Sequence, residues 1–120
     1  MKEFTYEEKI AVMRVILDIV MADGKVDERE RTFFTEIASS LHLGQEAKDD
    51  VDRCNSLLAL TVIHDLDDQQ KEQVAKLMGK MIIVDEDINY NEVKIYNVVN
   101  EFCQINIDFD ENDYPQYSRS

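Results

Sequence analysis

Two short stretches decide the fold of this chain. The first is Ala22-Asp23-Gly24-Lys25-Val26-Asp27-Glu28-Arg29-Glu30 and the second is Val84-Asp85-Glu86-Asp87-Ile88-Asn89-Tyr90-Asn91-Glu92. Laid over one another at an offset of 62 (85 − 23), Asp23 meets Asp85, Val26 meets Ile88, Asp27 meets Asn89 and Glu30 meets Glu92. The match continues outward: Val12 falls on Val74, Val15 on Leu77, Ile16 on Met78, Ile37 on Val99 and Leu43 on Ile105. Each stretch interrupts one apolar helical pattern and opens another. The chain therefore contains a helix–loop–helix unit twice, with linking helices between, and such a pair can pack face to face with pseudo-two-fold symmetry. The second loop carries Glu86 where the first has Gly24, so the two loop conformations are expected to differ.

Outward from the first loop, Ile10, Met13, Ile16 and Val20 recur at helical spacing, and Val12, Val15 and Ile19 widen the stripe. A helix so apolar around its circumference belongs at the centre of a bundle. Thr5 and Glu8 have capping-box spacing at its start, and Gly24 supplies a left-handed stop at its end. Asp27 and Glu30 repeat the capping box before a second helix that buries Phe33, Phe34, Ile37, Ala38 and Leu41 and is closed by Gly44.

Residues Gln45 to Asn55 read as a peripheral acidic helix. Leu57, Leu58, Leu60, Val62 and Ile63 follow; the β-branched Thr61-Val62-Ile63 also suits a strand, and the helical surroundings decide for helix. Asp65, Asp67 and Asp68 mark the next break and N-cap. Val74, Leu77, Met78, Met81 and Ile82 give another amphipathic helix, in which Gly79 signals close packing. The last helix carries Val93, Ile95 or Tyr96, Val99, and Phe102 or Cys103. The prediction is a single compact all-α bundle of five to seven helices, with its core around Ile16, Val20, Phe33, Phe34, Ile37, Leu77, Met81, Ile82, Val99 and Phe102. Four of the five methionines fall on the stripes, where core packing outweighs a partner groove.

Composition agrees. Three glycines and one proline in 120 residues are too little turn punctuation for an all-β fold. The 26 acids against 13 bases give a net charge of -13, which repels phosphate backbones and anionic lipid. Such a surface suits cations, basic partners or plain solubility. No apolar run is long enough to cross a bilayer. The start lacks signal-peptide layout and the cysteines are few, so the expected location is the cytoplasm.

The loops invite a cation reading. In an EF-hand, Asp23, Gly24, Asp27 and Glu30 would take positions 5, 6, 9 and 12, but positions 1 and 3 would be Ile19 and Met21, which cannot ligate calcium. The second loop fails likewise at Met81 and Ile83. A standard EF-hand is therefore rejected, and a half-loop site or one shared between the repeats stays open. Against it stands a local reading: Asp27 and Asn89 are good N-caps, Glu30 and Glu92 good partners for them, and Asp23 and Asp85 can bond turn amides.

A helix ending in Ala-Asp-Gly, followed by Lys-Val-Asp-Glu-Arg-Glu and a helix ending Ile-Ala-Ser-Ser-Leu-His-Leu, resembles the TerB-like family, which includes tellurite-resistance TerB proteins and the N-terminal domain of DjlA-type co-chaperones. The motif runs from Met21 to Leu43, and a weaker copy from Ile83 to Ile105. The resemblance implies a TerB-like helical domain over residues 1–106; the Asp- and Glu-rich composition beyond it reads as an acidic C-terminal tail over 107–120, loosely ordered or docked late. It also implies a link to tellurite or other chemical stress, with a metal associated through acidic residues. Asp23, Asp27 and Glu30 carry over directly; Asp85, Asp87 and Glu92 complete the candidate set for calcium, magnesium or zinc. Glu86 and Asn89 depart from the family's Gly and Asp, which weakens a symmetric two-loop site. The alternative is a protein–protein interaction module that uses an acidic face or apolar groove, its loop acids serving only as caps. A protein partner and a weak homo-oligomer are the candidate associations.

Other chemistry is poorly represented. His42, Cys54, His64 and Cys103 lack the short paired spacing of a zinc motif. Ser39, Ser40 and Ser56 have no nucleophile-elbow context, and no Gly-rich phosphate loop is present. The expectation is no enzyme.

Overall fold

The computed structural model describes residues 3–84 and 86–114. Among them are six α-helices and no strand: α1 Tyr6–Val20, α2 Glu28–Ser40, α3 Glu46–Arg53, α4 Ser56–His64, α5 Asp68–Ile83 and α6 Tyr90–Phe102, with a 3-10 turn at Glu111–Asp113. The all-α bundle expected from the sequence is borne out, including a helix at the β-branched stretch of α4. No helix of the described residues is long and apolar enough to cross a membrane.

Helix α1 is the axis. Eight of its residues are buried, among them Val12, Ile16 and Ile19, and it touches all five other α-helices. Its start is the capping box read from the sequence: Glu8 N donates to Thr5 Oγ1 at 3.2 Å and Thr5 N to Glu8 Oε1 at 2.9 Å. These bonds satisfy two amides that have no intrahelical acceptor. Further along, Arg14 ties α1 to the corner between α3 and α4. Its guanidinium donates to the Val51 and Asp52 carbonyls, each at 3.3 Å, and to Ser56 Oγ at 3.3 Å. Asp18 completes the knot, accepting from Ser56 Oγ at 2.7 Å and pairing with Arg14 Nη2 at 3.2 Å. The last carbonyls of α3 thus find a charged donor instead of solvent.

Helices α2 and α6 end in the same way. His42 (φ 61°) and Gln104 (φ 57°) take the left-handed conformation. Leu43 N then reaches back to Ala38 O, and Ile105 N to Asn100 O, each at 3.0 Å. This is the Schellman arrangement, with an ordinary residue in the place that glycine usually takes. Gly44 therefore does not close α2; the chain has already turned at His42.

The core contains Ile16, Val20, Ile37, Met81, Ile82 and Val99 as expected. Phe33, Phe34 and Leu77 are only half-buried and pack on its margin. Phe102 is exposed, and its neighbour Cys103 is the buried residue. Helix α6 points Glu92, Tyr96 and Val99 inward; Cys103 continues that row at a four-residue step, and Phe102 falls a residue short of it. Met21, on the sequence stripe, is also exposed, because α1 has ended before it.

Beyond Asn106 the chain packs down as far as Tyr114. Tyr96 Oη donates to Ile107 O at 2.6 Å, and Ile107 N donates to Asn100 Oδ1 at 3.0 Å. Phe109 meets Tyr96 edge-on at 5.6 Å and stacks on Tyr114 at 6.2 Å. Tyr114 is buried over α5, its hydroxyl 1.9 Å from where a Cβ on Gly79 would lie. The absent side chain of Gly79 is thus filled by an aromatic ring from the tail.

Candidate functional site

The two loops named in the sequence lie side by side. In the first, α1 ends at Val20, Gly24 takes φ 79°, and Asp23 Oδ1 accepts from Lys25 N at 3.0 Å. In the second, α5 ends at Ile83 and Glu86 takes φ 64°. The amides of both left-handed residues reach back three positions, Gly24 N to Met21 O at 3.1 Å and Glu86 N to Ile83 O at 2.9 Å. Glu86 thus takes a left-handed conformation as Gly24 does, at the cost that a Cβ imposes in that region.

Asp27 caps α2. Its Oδ1 accepts from Arg29 N at 2.7 Å and from Arg29 Nε at 3.3 Å, while Asp27 N donates to Glu30 Oε1 at 3.1 Å. The Arg29 amide, then its guanidinium, hold the Asp27 carboxyl below the usual carboxylate range. Asn89 caps α6 through the same position, accepting from Asn91 N at 2.8 Å and Glu92 N at 3.3 Å. Glu30 and Glu92 are each only 2% exposed, one buried carboxylate per unit.

The loops are bonded to one another through Asn89 and Asp23. Asn89 Nδ2 donates to Asp23 Oδ2 at 2.9 Å. It depends on the departure of the second loop from the first: an aspartate at 89 would set like charges together, whereas the amide caps α6 with its oxygen and grips Asp23 with its nitrogen. The sequence alignment placed Asn89 opposite Asp27 and left this cross-contact unseen, because capping rules are local and the bond spans 66 positions.

The structure thus brings Asp23, Asp27 and Glu30 to one loop and Glu92 to its neighbour, with Asp87 exposed on the second loop. Asp85 lies outside the described residues. Among the described residues no three His, Cys, Asp or Glu side chains are grouped to hold a metal ion. The described members of the candidate set form no such group, and neither do His42, Cys54, His64 and Cys103. Asp23, Asp27 and Glu30 bond backbone amides, the Arg29 guanidinium and Asn89.

Elsewhere, a cavity of about 460 Å³ lies between α5 and the C-terminal segment, lined by Glu72, Ala75, Lys76, Lys80, Ile107, Asp113 and Tyr114. No serine, cysteine or histidine is among these lining residues. Cys54 and Cys103 are both free thiols. Burial pushes the Cys103 thiol up to about 11, so it is no nucleophile at neutral pH.

Comparison with curated protein sequences gives no match. A crystal structure of a protein of unknown function from Porphyromonas gingivalis W83 superposes with a TM-score of 0.73 over 91% of each chain, at 24% identity. That likeness concerns the fold. The family model described as tellurite resistance protein TerB matches residues 1–53, which hold α1 to α3 and the whole first loop. The resemblance read from Met21 to Leu43 is thereby borne out, and residues 1–53 are similar to the TerB family.

Proposed function

We propose that this chain is a non-enzymatic TerB-like binding module of the cytoplasm that acts by association with a protein partner. In this reading the loop acids serve architecture, capping α2 and clasping the two helix–loop–helix units together. The observation that carries it is the engagement of Asp23, Asp27 and Glu30 with backbone amides, Arg29 and Asn89. A side chain held by several local donors must give them up to serve a ligand. The free thiols suit a reducing compartment. The match to the tellurite-resistance family over residues 1–53 supports a place in a chemical-stress response.

A second reading is favoured by one observation. Glu30 and Glu92 are two buried carboxylates in a chain of net charge -13, at the feet of loops already joined by the Asn89–Asp23 bond. A divalent cation (calcium, magnesium or zinc) drawn to that joint would find carboxylate oxygens as ligands. Calorimetric titration of chelator-treated protein with each ion separates the two readings. The module reading expects no stoichiometric heat and an unchanged melting temperature. Stoichiometric micromolar binding that Asp23→Asn abolishes while the fold persists would overturn it and establish the cation site.

A further inference from the structure

Helices α4 and α6 pack against one another and leave large apolar side chains outside. Leu57 is 70% exposed, Leu58 65%, Val98 54% and Phe102 51%. Isolated exposed apolar residues are ordinary; four of them on two touching helices are more than scatter predicts. The helices are pinned by the Cys103 thiol, which donates to the Leu60 carbonyl at 3.2 Å. Leu57 stands one turn before Leu60, and Phe102 is next to Cys103. Val98 lies one turn before Phe102, on the edge of α6 that also carries the half-buried Ile95. One partner helix, about 10 Å across, is wide enough to lie along such a seam.

The charge around the patch selects its occupant. Helix α4 contains no lysine or arginine, and α6 contains only Lys94, whose ammonium sits 4.9 Å from the centre of the Tyr90 ring. Asp65, at the C-terminal end of α4, and Glu101, next to Phe102, are exposed, and the chain as a whole carries -13. A second copy would bring another -13 to the contact, and an anionic membrane would repel it likewise. A segment with apolar residues on one face and lysines or arginines along its flanks meets both the patch and its rim.

We propose that the α4–α6 face, through Leu57, Leu58, Val98 and Phe102, is the docking surface for a basic amphipathic helix of a protein partner. The proposal rests on the reading of the chain as a binding module and gives that reading a place and a partner chemistry.

The test uses the full chain, isotope-labelled, at physiological ionic strength. The probe is an 18-residue peptide with leucines at helical spacing and lysines elsewhere. Two controls accompany it: the same composition scrambled, and a version with glutamate for lysine. The expected result is micromolar binding of the first peptide alone, with chemical-shift changes clustered on α4 and α6. Leu57→Ser with Phe102→Ser should weaken it at least tenfold while leaving the melting temperature unchanged, since both side chains are exposed. Leu58→Ser with Val98→Ser gives an independent second variant. Equal binding of the scrambled peptide, shifts confined to the loops, or no binding at all would overturn the proposal. So would a concentration-dependent dimer of the free protein that the same variants dissolve. The module reading itself falls on the metal titration, so the two failures are separate.

Discussion

Substituting Gly79 by alanine should reverse its sign of effect according to what stands at position 114. In an ordinary helix interior this change stabilises by about 1 kcal/mol, because alanine has less backbone freedom to lose. Here the new methyl would lie 1.9 Å from Tyr114 Oη and 2.4 Å from its Cζ, well inside contact distance. Either the ring is forced off its seat or α5 shifts, and overpacking of this kind costs about 1–3 kcal/mol. The net effect in the native background is a loss of up to about 2 kcal/mol, or several degrees of melting temperature for a chain of this size. With Tyr114→Ala already in place the clash is gone, and Gly79→Ala should stabilise by up to about 1 kcal/mol. Tyr114→Phe should not rescue, since the ring carbon at 2.4 Å remains. Urea denaturation of the four members of the cycle gives a coupling of about 1–3 kcal/mol. Stabilisation by Gly79→Ala in the native background would refute the placement of Tyr114 against α5.

The left-handed Glu86 gives a second check: Glu86→Gly and Glu86→Ala both remove the side chain, so the glycine variant should be the more stable by about 0.5–1 kcal/mol, read from paired melts. Removing the α4 cap with Asn55→Ala frees the amides of Leu57 and Leu58, which it holds at 2.8 and 3.3 Å, and should cost about 1 kcal/mol in denaturant titration. A thiol reagent at neutral pH should modify Cys54 first, with Cys103 reacting only on unfolding, because burial raises both thiols and Cys103 is wholly enclosed. Tyr6 donates to Asp50 Oδ2, and this bond pushes its phenol up to about 12. Ultraviolet titration should therefore show Tyr6 protonated well past the usual tyrosine range, and Asp50→Asn should bring it back down.

Local chemistry was legible in the sequence wherever the interaction is local. Thr5 with Glu8 and Asp27 with Glu30 are capping boxes in the structure because both partners lie within one turn. The inward row of α1 could be read from its spacing for the same reason. What could not be read was set by the neighbours. Whether Phe102 or Cys103 faces the core depends on the rotation of α6 against α4, fixed by contacts far away in sequence. Glu86 and His42 turn left-handed although no propensity demands it, because the helices on either side already determine where the chain must go. The candidate acids were found as a set, but their partners were not: the Asn89–Asp23 clasp joins two loops through a pair that no local rule matches.

The central place of α1 also has a consequence for biosynthesis. Of the six helices α1 is synthesised before the other five, yet its eight buried residues are covered by α2 to α6, the last of which ends at Phe102. From Val20 to Phe102 translation takes roughly 4–16 s at ordinary elongation rates. For that interval the buried face of α1 lacks part of its native cover, so its apolar row is open to non-native contacts until α6 is complete.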